Sequence, residues 1–428
     1  MIANPGFVVL ASFFILFALG FPVVFAILIP SIAYVIWADV PLATVAMRAL
    51  YSLDSYPLVA VPIFILVGNL MNATGITGKV YHFASVLAGR LPGGLAQVNI
   101  IGSLIFSGVS GSALADVGGI GRVEIKAMKD EGFPVPFAAA LTGASAIVGP
   151  IFPPSIPVII YASVTSVSSI QLLVAGVIPA LICVGFMMIT AALVAYRRGY
   201  PRAHRWPTLQ ELRVSFLSAS PALFAPVLLI GGMMSGSFTP TEASAVCVLY
   251  VLLVGLIFYR DIEWPVVLKA AADTVRASAA VLIIVTTAAM FGWILAVEQV
   301  PQQVAAWLNS IGPSPIEMLI IANIIFFIAG MFVDSTTGIL LLVPIIAGPA
   351  IMAGVDPIHF GIVAIFNLMI GTVTPPFGLS LFLLANMTGL SITQILKAMI
   401  PFYAPLLAAL AALTLFPDFV LWLPNTLR

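Results

Sequence analysis

The chain has 428 residues, 62% of them hydrophobic and only 7% charged, and its sixteen basic and sixteen acidic residues balance to a formal net charge of zero. Soluble domains carry about 25% charge, so a cytosolic enzyme is excluded, and without a basic excess nucleic acid is not a partner. A mean hydropathy of +1.19 leaves an all-α polytopic membrane protein, because in lipid the backbone polar groups must be satisfied inside helices.

The first apolar run, 5–20, lacks a charged start and the apolar pattern continues past Leu28, so it reads as a retained helix rather than a cleaved signal. A second short run covers 22–37. Positions Leu42, Val45, Ala49, Leu50 and Leu53 then recur at helical spacing, as Trp264, Val267, Leu268, Ala271 and Val275 do later, and each set predicts an amphipathic helix along the membrane surface. Runs near the roughly 20 residues a bilayer requires lie at 57–78, 137–165, 170–196, 277–297, 357–385 and 399–424, with shorter ones at 218–235 and 245–259. Trp37, Trp264, Trp307 and Trp422 stand at span ends, as interfacial anchors do. Cys183 and Cys247 lie inside apolar runs and predict neither a disulfide nor a metal site.

The longest polar interruption, 197–213, holds Arg197, Arg198, Arg202, Arg205 and Arg213 with His204, and the positive-inside rule makes it a cytoplasmic linker. Alternating outward from it places every basic residue except Arg48 and Arg428 inside, provided that two segments enter the membrane without crossing. The first, 93–121, enters from the cytoplasm; the second, near 315–345, dips in from outside. Their arms are too short to span.

Gly108 and Gly330 are 222 residues apart, as are Gly149 and Gly371, Pro153 and Pro375, and Pro154 and Pro376. This predicts a duplication, with one repeat over 1–205 and the other over 206–428. An odd number of crossings between equivalent points makes the repeats inverted, the plan of many secondary transporters.

Each repeat carries a matched pair of irregularities. Ser107-Gly108-Val109-Ser110-Gly111-Ser112 interrupts the first hairpin and Gly149-Pro150-Ile151-Phe152-Pro153-Pro154-Ser155 the next span. Asp334-Ser335-Thr336-Thr337-Gly338 and Gly371-Thr372-Val373-Thr374-Pro375-Pro376-Phe377-Gly378 do the same in the second half. Proline removes a donor and clashes with the preceding turn, so these spans unwind. Bare carbonyls at membrane depth are tolerated where they line a site. Such carbonyls with Ser, Thr and Asp oxygens suit Na⁺, and half-helix N-termini suit an anion, so one composite site per half is expected. A carboxylate at a hairpin turn is costly unless it is paired or holds an ion, and Asp334 therefore either contacts an ion or caps the second arm. Asp116 would support the first site from behind or cap. Asn69, Asn99, Asn323, Asn367 and Asn386 are expected to lock helix to helix.

Two enzyme classes compete with a transporter reading. Gly108-Val109-Ser110-Gly111 matches the short nucleophile signature of intramembrane serine proteases, but His82, His204 and His359 lie near membrane edges, and Asp116 and Asp334 lack the flanking residues of an aspartyl protease. No phosphate loop is present. A channel requires a continuous lined pore, and a stand-alone anion carrier or channel is the remaining alternative.

Ser107-Gly-Val-Ser-Gly-Ser-Ala-Leu-Ala-Asp116, Gly149-Pro-Ile-Phe-Pro-Pro-Ser-Ile-Pro157, Phe238-Thr-Pro-Thr-Glu-Ala243 and Gly371-Thr-Val-Thr-Pro-Pro-Phe-Gly378 together resemble the large membrane subunit of TRAP transporters, the DctM and SiaM type, over essentially the whole chain. The resemblance implies an ion-transporter-superfamily-like elevator fold and Na⁺-coupled import of an organic acid such as a C4-dicarboxylate, sialic acid or another sugar acid. It also implies an inner-membrane location and two partners, a periplasmic substrate-binding protein and a small four-helix membrane subunit, both expected as separate polypeptides. Ser107, Ser110, Ser112 and Gly149 would hold one Na⁺, and Gly330, Asp334, Thr337, Gly371 and Thr374 another. Ser110, Gly111, Pro153, Pro154, Ser335, Thr336, Pro375 and Pro376 would surround the substrate. No organic cofactor is expected.

Overall fold

The computed structural model describes residues 4–202, 205–259 and 263–427; the side chains of Leu42, Ile76, Thr77, Val109, Ser110 and Asn309 lie outside the description, as do His204, Arg260 and Arg428. The described residues contain helices and no strand. In chain order these are α1 (Pro5–Ala18), α2 (Val23–Trp37), α3 (Leu42–Leu53), α4 (Tyr56–Ala73), α5 (Ile76–Ala88), α6 (Leu95–Ser110), α7 (Ala113–Gly118), α8 (Ile120–Asp130), α9 (Val135–Ser145), α10 (Ile156–Thr165), α11 (Ser169–Ala175) and α12 (Val177–Arg198). The second half continues with α13 (Leu209–Met234), α14 (Pro240–Leu253), α15 (Trp264–Val297), α16 (Val300–Ile311), α17 (Pro315–Gly330), α18 (Ser335–Met352), α19 (Pro357–Gly371), α20 (Leu379–Thr388), α21 (Ile392–Leu415) and α22 (Asp418–Thr426). Among the described residues, seven helical segments are long and apolar enough to cross a bilayer, which makes this a multi-pass membrane protein.

The helices pack as two sets that also touch each other extensively, α5 against α6, α15 against α18 and α4 against α10. In one, α4 lies against α14 and α15, α13 against α5 and α14, and α15 against α2 and α3. In the other, α9 and α12 lie on α21, α17 on α19 and α10 on α18. The first group shows lipid-type faces, with Ile29, Ile32, Phe224, Val227, Leu249 and Ile283 exposed. Inside the second, α19 is buried from Ile358 to Gly371 and α9 from Phe137 to Ser145. Trp37, Trp264, Trp307 and Trp422 are exposed, as interfacial anchors require.

Both segments expected to turn back fold as helix pairs, α6 with α7 and α8, and α17 with α18, although α18 at 18 residues is itself one of the seven segments long and apolar enough to cross. Both broken spans are interrupted, between α9 and α10 and between α19 and α20, and both Pro-Pro bonds, Pro153-Pro154 and Pro375-Pro376, are cis. One expectation is overturned: 264–275 is not a separate surface helix. It continues into 277–297 as the single 34-residue α15. No breaker stands between Val275 and Ala280, and small buried residues at Ala270, Thr274 and Ser278 keep one face of this stretch packed on the protein.

Residues 1–40 contain no basic residue to orient them. The structure ties them down at Glu298, whose carbonyl accepts from Asn4 Nδ2 at 2.8 Å and whose carboxylate accepts from the Tyr34 hydroxyl. The start of α1 and the end of α2 therefore share the face on which α15 ends.

Asn69, Asn99, Asn323 and Asn367 lock helices as expected. Asn69 donates to Thr274 Oγ1 at 2.9 Å, joining α4 to α15, and Asn99 to Thr142 Oγ1 at 2.7 Å, joining α6 to α9. Asn367 donates to Asn323 Oδ1 at 2.7 Å and Asn323 to Thr414 Oγ1 at 2.9 Å, joining α19, α17 and α21. Asn386 instead borders a small pocket with Arg122. Replacing Asn323 with Leu removes two side-chain bonds of this chain and is expected to destabilise the protein by about 1–2 kcal/mol, read as a lower thermal midpoint in detergent.

Candidate ion and substrate site

In the first hairpin, α6 ends because Gly111 adopts φ 59°, a left-handed cap that glycine takes without penalty. Ser112 then caps α7, its hydroxyl accepting from the Ala115 N–H at 3.5 Å. Ser107 donates its hydroxyl proton to the Ser103 carbonyl, and its oxygen lies 3.3 Å from Asp116 Oδ2. A methyl group on Gly149 would stand 2.6 Å from Asp116 Oδ2 and 3.4 Å from Ser107 Oγ. The hairpin and the broken span thus bring Ser107, Asp116 and Gly149 to one point, and Asp116 stands at its centre rather than behind it. The side chain of Ser110 lies outside the described residues. The Ile156 N–H donates to the Gly111 carbonyl at 3.4 Å, joining hairpin tip to break.

The second half repeats this plan with different atoms. Asp334 caps α18, accepting from the Thr336 N–H at 2.9 Å and from the Thr337 hydroxyl, so capping is the role its side chain is seen to fill. The Gly378 N–H donates to the Met331 carbonyl at 3.1 Å, the counterpart of the Ile156 bond. Gly330 and Gly371 meet backbone to backbone, and a methyl on Gly371 would lie 2.3 Å from the Gly330 carbonyl carbon. Thr374 donates to the Ile370 carbonyl at 2.8 Å, and Thr337 is fully buried. A hydroxyl that gives its proton to the preceding turn turns its lone pairs outward as acceptors, as Ser107 and Thr374 both do.

Between the tips lies a cavity of about 410 Å³. Gly111 and Ser112 line it from the first half, Asp334, Ser335 and Thr336 from the second hairpin, and Thr372 and Ser380 from the second broken span. The N-terminal turns of α10 (Ile156, Pro157), α18 (Ser335, Thr336) and α20 (Leu379, Ser380) all open onto it. The prolines expected around the substrate do not line it. Pro153 and Pro154 are buried behind the first tip, where the Pro154 carbonyl backs Gly111, and Pro375 and Pro376 are exposed. Proline shapes the break here, and its neighbours supply the wall.

Sequence reasoning missed the opposite wall, formed by Asn69 and Asn72 on α4 and Asp273 on α15. Asn69 and Asn72 share a helix face by their i, i+3 spacing, which was a usable signal. Asp273 was hidden by the reading of 264–275 as a surface helix; it pairs with Arg276 at 3.2 Å. These lining residues lie in the halves of α4 and α15 that the basic residues assign to the cytoplasm.

His359 offers no support for a hydrolase. It is buried with Nε2 2.7 Å from the Leu413 carbonyl, fastening α19 to α21.

The sequence profile described as "Tripartite ATP-independent periplasmic transporter, DctM component" matches residues 10–419. The chain is 40% identical over 415 residues to the sialic acid TRAP transporter large permease protein SiaM of Vibrio cholerae, covering 96% of each. It is 34% identical over 403 residues to the C4-dicarboxylate TRAP transporter large permease protein DctM of Rhodobacter capsulatus, covering 91% of each. Among solved structures, the YdaH transporter of Alcanivorax borkumensis superimposes with a TM-score of 0.64 at 14% identity over 90% of each chain, which is a likeness of fold. A profile match over nearly the whole length, with near-full-length permease relatives, agrees with hairpins and broken helices closing on one cavity: the chain belongs to the DctM-component family of tripartite ATP-independent periplasmic transporters and is a transport permease, not an enzyme.

Proposed function

We propose that this permease imports a small organic acid across the inner membrane, driven by Na⁺ and working as an elevator built from inverted repeats. A periplasmic binding protein delivers the substrate and a small four-helix membrane subunit completes the translocating unit. The observation that carries this reading is the meeting of three helix N-termini, those of α10, α18 and α20, on one cavity between the hairpin tips. The first-turn N–H groups of Ile156, Val158, Thr336 and Ser380 are held by Gly111, Ser155, Asp334 and Thr372, so what the three ends offer an anion is their positive dipole ends.

The two permease relatives are named for sialic acid and for C4-dicarboxylates, and both substrates present carboxylates to such a site. An anion cannot enter at low cost beside Asp116 and Asp334 unless cations enter as well. Ser107, Ser110, Ser112 and Gly149 with Asp116, and Gly330, Asp334, Thr337, Gly371 and Thr374, are the groups assigned to Na⁺. With cations and substrate bound, the tips close on a neutralised load that the second helix group carries past α4 and α15. The cavity lies against the cytoplasmic halves of these two helices, which makes this conformer inward-facing.

Na⁺ that binds the folded protein raises its stability by mass action, by about 2.7 kcal/mol at a hundredfold excess over Kd. A higher thermal midpoint in NaCl than in KCl at equal ionic strength is therefore expected, reduced in Asp116→Asn. Identical midpoints in the two salts would remove the Na⁺ assignment.

A further inference from the structure

Glu124 takes no part in the mechanism above, yet it is a buried carboxyl without a hydrogen-bond partner. It lies on α8, the return arm of the first hairpin, and is fully buried. Neither carboxyl oxygen has a hydrogen-bond partner. On the other face of the same helix Arg122, Lys126, Lys129 and Asp130 are exposed, so the helix itself offers the carboxyl no counter-charge.

The elements packed on α8 do not supply one either. Helices α6 and α9 carry no titratable residue, and α7 carries only Asp116, whose charge reaches Glu124 with the same sign. Gly102 of α6 faces it so closely that a methyl there would lie 2.8 Å from Glu124 Oε1. From α5, Tyr81 comes near enough to sense its charge, and the Tyr81 hydroxyl is itself a buried group without a partner. A carboxylate stripped of water, facing a like charge and lacking any donor cannot recover its desolvation cost. A carboxylic acid carries its own proton and escapes that cost.

We propose that Glu124 is a proton-carrying site on the moving hairpin, loaded from cytoplasmic water, and that the hairpin packs and travels with this side chain as the neutral acid. The proton binds one carboxylate oxygen on loading and returns to cytoplasmic water on release. Ionising Glu124 places a buried negative charge without a donor in the hairpin that also carries Asp116, and arrests the domain. The site is distinct from the Na⁺ groups, and the arrest rests on the reading that this hairpin moves.

Two measurements test the proposal. Infrared spectra of the permease in lipid at neutral pH are expected to show a carboxylic-acid carbonyl band in wild type that is lost in Glu124→Gln. Uptake at alkaline internal pH, normalised to each protein's own value at neutral pH, is expected to fall in wild type by about tenfold per unit beyond the carboxyl's folded value and to fall less in Glu124→Gln, where the neutral form is fixed. No band difference, or parallel pH profiles, overturns the proposal. The infrared readout does not require transport, so a protein that shows the band yet fails to respond to Na⁺ would refute the Na⁺-coupled reading and leave the Glu124 assignment standing.

Discussion

Gly371→Ala is expected to abolish uptake and to lower stability by about 3 kcal/mol, the upper range for forcing one methyl into a closed contact. Gly371 ends α19 where the chain meets Gly330 at the end of α17, and the added methyl would lie 2.3, 2.5 and 2.7 Å from the carbonyl carbon, Cα and carbonyl oxygen of Gly330. All three are backbone atoms, so no rotamer change relieves the clash and the hairpin must separate from the broken span. That separation would dismantle the second assigned Na⁺ group, which draws on both glycines. Gly292→Ala in α15 is the matched control, because nothing lies within 4 Å of the added methyl, and a helix-interior glycine replaced by alanine gains about 0.5–1 kcal/mol. Thermal midpoints and uptake measured in parallel separate the two cases. A Gly371→Ala protein with wild-type uptake would show that this contact is not needed for transport.

The second large effect is at Asp334, where two substitutions divide two roles. Asparagine caps a helix about as well as aspartate, so Asp334→Asn should hold the Thr336 N–H and cost less than about 0.5 kcal/mol, within the range of an unperturbed site. It removes the charge, and if that charge balances a cation, Na⁺-driven uptake falls by more than about tenfold, which corresponds to 1.4 kcal/mol of lost binding. Asp334→Ala removes cap and charge together and should lose about 1 kcal/mol of stability as well. Equal uptake by Asp334→Asn and wild type would leave Asp334 as a cap alone.

The hairpins and breaks were legible because Gly, Pro, Ser and Thr clusters stand out in apolar sequence and recur at one offset. Lipid tolerates such irregularity only at built sites, so few competing readings exist. The long α15 was not legible, since the amphipathic pattern of Trp264 to Val275 is shared by a surface helix and by a spanning helix with one face turned to a cavity. Asp273 was lost with it. The approach of the Asp116 carboxylate to Gly149 was not legible, because hairpin geometry, not spacing, brings them together. The four prolines were expected beside the substrate from the family resemblance, although a residue that breaks a helix need not face the space the break creates. The tether of α1 and α2 to Glu298 spans 294 residues from Asn4, and no local pattern encodes it.

The central claim is that Na⁺ and a periplasmic binding protein together drive an organic anion through the cavity between the hairpin tips. The most direct measurement is uptake of labelled sialic acid and C4-dicarboxylates into proteoliposomes holding this permease and the small membrane subunit, with the binding protein outside and an inward Na⁺ gradient or a K⁺ control. The account predicts accumulation only with both Na⁺ and the binding protein, lost in Gly371→Ala. Flux that needs neither would contradict it and mark the chain as a channel or a stand-alone carrier.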